Sequence, residues 1–93
     1  MDRFVKRNVV LKYKCPCCGY YTIPQKPPGT DHICNVCFWH DDYVQFYDPD
    51  FEGGANEASL NQAKKNFIEF GACEFDLKKY VRHPKRDEKK GID

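Results

Sequence analysis

The start of the chain alternates apolar with polar or small positions, a pattern that predicts short strands. Val9, Leu11 and Tyr13 stand two residues apart, and an alternation of period two is typical of a half-buried strand. Residues 20–23 are aromatic or β-branched, and such side chains favour extended backbone. We therefore expect an antiparallel hairpin formed by these two segments.

Residues 43–47, which read Tyr-Val-Gln-Phe-Tyr, are a third candidate strand. Their aromatic and β-branched side chains favour extended backbone in the same way. Asp48, Pro49 and Asp50 follow at once and are expected to end the strand.

A longer segment, residues 59–70, carries the pattern of an amphipathic helix. Ser59 is placed to accept a hydrogen bond from the amide of Gln62, whose side chain reaches back as in a capping box. Gly71 stands where a left-handed glycine commonly ends a helix. One face carries an apolar stripe at helical spacing, with one lysine stem along it: Leu60, Ala63, Lys64, Phe67 and Phe70.

Two pairs of cysteines carry the clearest chemistry in the chain. Read through Cys15, Cys18, Cys34 and Cys37, the spacing is C-x2-C-x15-C-x2-C, which suits a tetrahedral metal site. Each pair can present two sulfurs from one tight turn, and the spacer is long enough to bring the turns together. Cys15 with Cys17 would make a tighter pair, but the C-x2-C spacing favours Cys18.

Four thiolates favour zinc, because a closed shell without an open position is typical of structural zinc sites. Iron is the alternative, since four thiolates hold it equally well and the first pair resembles a rubredoxin knuckle, although the spacer here is shorter. The six cysteines could otherwise form three disulfides. Because the sequence opens on charged residues with no apolar signal segment, we expect a reduced, cytoplasmic protein whose cysteines hold metal.

Two further cysteines and a histidine need an interpretation of their own. Cys17 is either a reactive or alternate-ligand thiolate or a small side chain at a loop tip. Cys73 follows the helix and is expected to be a buried small hydrophobe. His40 is a fifth candidate ligand, but four cysteines already complete the shell.

Charge lies in three blocks, although the net charge is only +1. Residues 41–57 include six acidic side chains and neither lysine nor arginine, while both ends are basic. Such blocks are typical either of partner surfaces or of solvated ends. Nucleic acid could bind the basic ends, with tyrosines for stacking: Lys6, Arg7, Lys12, Lys79, Arg82, Lys85 and Arg86, with Tyr13, Tyr20 or Tyr21. The acidic middle weakens that alternative, and no segment has the length of a membrane span.

Several motifs agree in order and content with a known family. They are Cys-Pro-Cys-Cys-Gly-Tyr at 15–20, Ile-Cys-Asn-Val-Cys-Phe-Trp at 33–39, Asp-Asp at 41–42, Gly-Gly-Ala-Asn at 53–56, Ser-Leu at 59–60, and Asn-Phe with Phe-Gly-Ala within 66–72. Over about residues 13–73 the chain resembles the bacterial cysteine-rich CPCC family. The resemblance implies a small metal-binding protein without an established activity, with Phe38 and Trp39 packed beneath the site. The second pair lacks the proline that family members often carry there, which loosens its turn slightly without removing a ligand.

We expect a small α+β fold, with zinc-ribbon or rubredoxin-like knuckles on short antiparallel strands and one C-terminal helix packed on them. Residues 1–83 would form a single metal-stabilised domain, and residues 84–93 a charged, flexible tail. No nucleophile, base and orienting group assemble in the sequence, so we expect no catalytic activity. The expected function is that of a zinc-binding module that engages a protein partner.

Overall fold

The computed structural model describes residues 11–92. Within them lies one two-stranded antiparallel sheet, formed by β1 (Tyr13–Lys14) and β2 (Tyr21–Ile23). Tyr13 stands opposite Ile23 and Lys14 opposite Tyr21, with a shift of register between the two positions. The predicted hairpin is confirmed over these residues, and Val9 lies outside the described part of the chain.

The third predicted strand is wrong, because residues 43–47 form a short helix, α1 (Tyr43–Tyr47). The helical turn brings the rings of Tyr43 and Tyr47 edge to face, with centroids 4.9 Å apart. Gln45 is fully buried and its amide donates to the carbonyls of Phe51 and Ala58, each at 3.0 Å. The strand propensity of residues 43–47 is overridden here, because in the helical turn the Gln45 side chain can hydrogen-bond to the loop that follows α1.

The predicted long helix is confirmed as α2 (Leu60–Phe70). The Ser59 hydroxyl accepts from the Gln62 amide at 3.1 Å, and Gly71 ends the helix with a left-handed φ of 86°. The Gln62 side chain does not complete the expected capping box; it donates to the Asn66 side-chain oxygen at 2.8 Å instead. Asn66 lies one helical turn further on, so this bond strengthens the exposed face of the helix.

Two 3-10 helices follow α2, Phe75–Tyr80 and Arg86–Lys89. The second lies within the expected flexible tail. The Arg82 guanidinium donates to both carboxylate oxygens of Glu88 at 2.8 Å, and Glu88 is only 6% exposed. Beyond it, the Ile92 amide donates to the Lys12 carbonyl at 2.8 Å. The tail is therefore more structured than its charge indicated, while a domain boundary at residue 83 stays a prediction.

Cysteine side chains make up much of the interior. The buried apolar cluster comprises Cys15, Cys17, Ile23, Cys34, Val36, Cys37, Trp39, Leu60, Ala63 and Cys73. Five of these ten side chains are cysteines, so the candidate metal site and the core are one structure. Trp39, the largest of the ten, is 1% exposed and lies among the cysteines.

The architecture is a small α+β fold in which helical segments surround a two-stranded antiparallel sheet and a cluster of cysteines. The sequence predicted that the long helix α2 would be the last element. Two 3-10 helices follow it instead. None of the helices within residues 11–92 combines the length and the apolar character needed to cross a membrane.

Candidate metal centre

Four cysteine sulfurs from two separate turns converge at one point. The Sγ atoms of Cys15, Cys18, Cys34 and Cys37 all lie within 4.8 Å of one another. The closest pairs join the two turns, with 3.6 Å between Cys15 and Cys37 and 3.7 Å between Cys18 and Cys34. Four sulfurs placed tetrahedrally about 2.3 Å from a zinc ion stand about 3.8 Å apart. The four sulfurs are therefore close enough together to hold a single metal ion.

The same sulfur–sulfur distances are too long for disulfide bonds. A disulfide requires two sulfurs about 2.05 Å apart, and all six cysteines are free. The sulfurs are brought together without covalent links between them, as metal ligation requires.

The first knuckle, residues 15–20, is a tight turn closed by its own backbone. The Cys15 amide donates to the Tyr20 carbonyl at 2.8 Å, and the Gly19 amide donates to the Cys15 carbonyl at 2.9 Å. Gly19 has a left-handed φ of 81°, which glycine adopts at little cost. The turn thus points Cys15 and Cys18 toward one side.

The second knuckle, residues 34–39, repeats this pattern residue for residue. The Cys34 amide donates to the Trp39 carbonyl at 2.9 Å, and the Phe38 amide donates to the Cys34 carbonyl at 2.7 Å. Phe38 takes the place of the glycine and also has a left-handed φ, of 69°. The two knuckles are therefore the same turn built twice, which accounts for their equal presentation of sulfurs.

Hydrogen bonds to the sulfurs come from both side chain and backbone. The Thr22 hydroxyl on β2 donates to the Cys34 sulfur at 3.0 Å. The amides of Val36 and Trp39 donate to the sulfurs of Cys34 and Cys37, each at 3.4 Å. Four thiolates around a divalent ion carry a net charge of about minus two, and donors of this kind offset it.

The four thiols hold their protons unequally. Hydrogen bonds from its three neighbours, Cys15 first, keep the pKa of the Cys34 thiol well below its ordinary value. The pKa of Cys37 is raised, chiefly by its hydrogen bond with Cys15, and the pKa of Cys15 chiefly by its hydrogen bond with Cys18. For Cys18, the bond with Cys15 lowers the pKa, but its other hydrogen bonds and burial outweigh it, so the net shift is upward. The ionised form is thus favoured at Cys34 and disfavoured at its three neighbours.

A comparison with family models shows which family the chain belongs to. The model of the family described as Cysteine-rich CPCC matches residues 13–88. The chain belongs to the cysteine-rich CPCC family. No curated protein matches it. The CPCC match extends beyond residue 73, where the recognisable motifs end, and it takes in both Arg82 and Glu88.

The two remaining cysteines of this CPCC protein lie beside the site, inside the core. Cys73 is fully buried, which confirms its expected role, and its amide donates to the Cys37 carbonyl at 2.7 Å. Burial, followed by the charge of Cys17, raises the pKa of the Cys73 thiol to about 12. Cys17 is 7% exposed, so it is a core side chain rather than an open loop tip.

The fifth candidate ligand lies elsewhere. The His40 ring nitrogen Nε2 stands 3.4 Å from Asp31 Oδ1, at the surface. Within residues 11–92, the four cysteines are the only set of three or more histidine, cysteine or acidic side chains close enough to hold one ion. His40 is not part of that set, as the completed sulfur shell indicated.

The basic residues considered for nucleic-acid binding are partly engaged within the protein. Arg82 pairs with Glu88 at 2.8 Å, and the ring of Tyr20 packs edge to face on Phe67, with centroids 6.2 Å apart. Lys6 and Arg7 lie outside the described residues. Within residues 11–92, Arg82 and Tyr20 already have protein partners, so neither is presented as an open contact.

Sequence reasoning missed two buried polar residues of this CPCC protein, Thr22 beside the cysteines and Gln45 in α1. Thr22 was read only as a strand residue, although a hydroxyl at a buried strand position needs a hydrogen-bond partner. Gln45 was read as part of a strand, whereas its side-chain oxygen accepts from the Asn56 side chain at 3.0 Å. Asn56 in turn donates to the His40 carbonyl at 2.8 Å. A buried amide has no signature in a single sequence, because only the tertiary structure shows which polar side chains are enclosed.

Proposed function

We propose that this protein is a zinc-binding module of zinc-ribbon type. Cys15, Cys18, Cys34 and Cys37 would hold one structural ion, and the stabilised surface would engage a protein partner in the cytoplasm. The observation that supports this best is the approach of sulfurs from different knuckles to 3.6 Å and 3.7 Å. Those separations match the edge of a zinc–thiolate tetrahedron, about 3.8 Å.

A structural role follows from the completeness of the shell. Catalytic zinc sites keep a position open for water or substrate, and four cysteine sulfurs leave none. Because five of the ten side chains in the buried apolar cluster of the described residues are cysteines, ion binding and folding would share the same free energy. We therefore infer that the metal holds the fold and that the protein has no catalytic activity.

Metal analysis of the purified, reduced protein tests the proposal. We expect one zinc ion per chain, and we expect a strong chelator to unfold the domain as followed by circular dichroism. Cys34→Ser should lose the ion, whereas Cys73→Ala, which changes a buried cysteine outside the four, should keep it. A reduced chain that stays folded without stoichiometric metal contradicts the proposal.

Iron is the second candidate, because the same four thiolates suit it and backbone amides donate to Cys34 and Cys37, an arrangement that tunes iron–sulfur sites. A ferric site of this kind is red after aerobic purification, and a zinc site is colourless. An absorption spectrum of the protein purified without added metal therefore separates the two metals.

A further inference from the structure

Helix α1 buries a polar residue and exposes its apolar ones. Gln45 is 0% exposed, while Tyr43, Val44 and Tyr47 are 61%, 50% and 63% exposed. The hydrophobic effect favours the opposite arrangement for a helix that serves only the fold. The outward side of α1 therefore has apolar surface that the described fold does not use.

Hydrogen bonds hold α1 in this orientation. Gln45 donates to the carbonyls of Phe51, Asn56 and Ala58, all at 3.0 Å, and accepts from the Asn56 amide at 3.2 Å. Turning the tyrosines inward would leave these buried polar groups without partners, which is costly. The exposed rings thus stand on a rigid support, which lowers the entropy lost on binding.

We define the aromatic face as the exposed apolar side chains of α1 and of the loop that follows it, namely Tyr43, Val44, Tyr47 and Phe51. Phe51, just after the helix, is 41% exposed. The rings of Tyr43 and Tyr47 meet at 4.9 Å, and Tyr47 also packs against Phe46 at 5.1 Å. A preassembled set of aromatic side chains is the surface type most often found at the centre of protein interfaces.

The charge around the aromatic face is negative. Asp42 and Asp48 stand at the two ends of α1, and Asp50 and Glu52 flank Phe51. Within residues 11–92, no lysine or arginine forms an ion pair with any of these four carboxylates. This field attracts a cationic partner and repels nucleic acid and anionic membrane surfaces.

We propose that the aromatic face binds a basic peptide segment of a partner protein. Arginine side chains of the partner lie over the tyrosine rings, since a guanidinium is attracted to an aromatic face. The surrounding carboxylates pair with the remaining positive charge. This inference rests on the proposed function, and it makes the interaction role specific by naming the surface and the chemistry of its partner.

Fluorescence anisotropy with a labelled peptide of alternating arginine and glycine tests the proposal. We expect binding that weakens as salt rises, and no binding of an equally long peptide of alternating glutamate and glycine. Replacing both rings, Tyr43→Ala with Tyr47→Ala, should weaken binding about ten-fold or more, as loss of central aromatic contacts does. The matched control is Ile68→Ala, an 85% exposed apolar residue on α2, which should leave binding unchanged.

A second variant keeps the test independent of folding. Asp48→Asn with Glu52→Gln leaves both rings in place and should weaken binding and flatten its salt dependence. Failure of the arginine peptide to bind, or binding that both variant pairs leave unchanged, overturns the proposal. Stronger binding of single-stranded DNA overturns it too. A wild-type dimer in sedimentation that the tyrosine variants abolish identifies a second copy as the occupant and likewise overturns it.

Every measurement is made on protein of known zinc content. Failure of the proposed function then shows in the metal analysis, whereas failure of the docking proposal shows in the anisotropy of fully zinc-loaded protein.

Discussion

At the scale of single residues, Gly19 and Phe38 meet the same backbone demand with different side chains. Each stands four residues after the first cysteine of its knuckle, with φ of 81° and 69°. A left-handed backbone costs glycine little but costs a phenylalanine about 1 kcal/mol or more. The Phe38 ring stacks on Tyr80 with centroids 5.1 Å apart, a contact that glycine cannot make. The second knuckle is thereby tied to the 3-10 helix that follows α2.

Thr22 supplies the one side-chain hydroxyl that donates to a sulfur of the described site. Thr22→Val keeps the shape of the side chain and removes the donor, so the Cys34 thiolate loses part of its stabilisation. We expect zinc affinity to fall about ten-fold, as for other groups that support metal ligands. Competition with a chromogenic chelator measures the change. Thr22→Ser retains the hydroxyl and is the control, and equal affinities for all three proteins would show that the bond contributes nothing.

At the scale of elements, the two α-helices differ in what determines them. Helix α2 has local signals at both ends, with Ser59 accepting from the Gln62 amide and Gly71 in the left-handed region. Helix α1 has five residues and no side-chain cap, so nothing local distinguishes it from a strand. Its conformation depends on Gln45, whose partners lie six to thirteen residues further along the chain.

The cap of α2 can be tested directly. Ser59→Ala removes the acceptor of the Gln62 amide and should lower the free energy of unfolding by about 1 kcal/mol. Ser59→Gly should cost only a few tenths, because glycine lets water or a shifted backbone satisfy the helix end. Urea unfolding of the zinc-loaded proteins gives both values. If alanine proves no worse than glycine, the hydroxyl does not stabilise the helix.

At the scale of the whole molecule, the protein folds around its cysteines, and few other large apolar side chains are fully enclosed. Trp39 and Ile23 are the largest fully buried apolar side chains among the described residues. A domain of this size buries too little apolar surface to be stable by a wide margin. Under the proposed function, an ion held by the four sulfurs would supply the free energy that a larger core provides.

The protonation of the four thiols predicts a pH dependence of metal binding. Because the pKa values of Cys15, Cys18 and Cys37 are raised, an incoming ion must displace protons from these thiols near neutral pH. Affinity should therefore rise with pH and fall in acid. Calorimetry in buffers of different ionisation enthalpy counts the released protons. A count of one or none contradicts the charge distribution of the cluster.

The ion pair between Arg82 and Glu88 ties the second 3-10 helix to the segment before it, whose Arg82 amide donates to the Asn35 carbonyl at 3.3 Å. Glu88→Gln removes the charge while keeping the shape, and we expect the free energy of unfolding to fall by about 1 kcal/mol, because Arg82 is partly open to solvent. Urea unfolding at neutral pH measures the loss. Asp87→Asn, the neighbouring exposed carboxylate, is the control. An equal effect of the two changes would mean that net charge, and not the pair, matters here.

Features that depend on neighbours in the chain could be predicted from the amino-acid sequence. The spacing of Cys15, Cys18, Cys34 and Cys37 predicted the group of sulfurs that the structure brings together, and local caps predicted α2. These succeeded because a knuckle or a helix end is built from residues a few positions apart. The family resemblance followed from the same short motifs.

Which polar side chains are enclosed and which apolar ones are exposed could be learned only from the three-dimensional fold. The segment around Gln45 was predicted as a strand, but the buried hydrogen bonds of Gln45 accompany a helix. Glu88 lies in the charged segment 84–93, which was expected to be solvated, yet it pairs with Arg82. The hydrogen bond from the Thr22 hydroxyl to the Cys34 sulfur is likewise visible only in the folded protein. A buried hydrogen bond depends on the three-dimensional position of its partner, and no pattern of apolar and polar residues records that position.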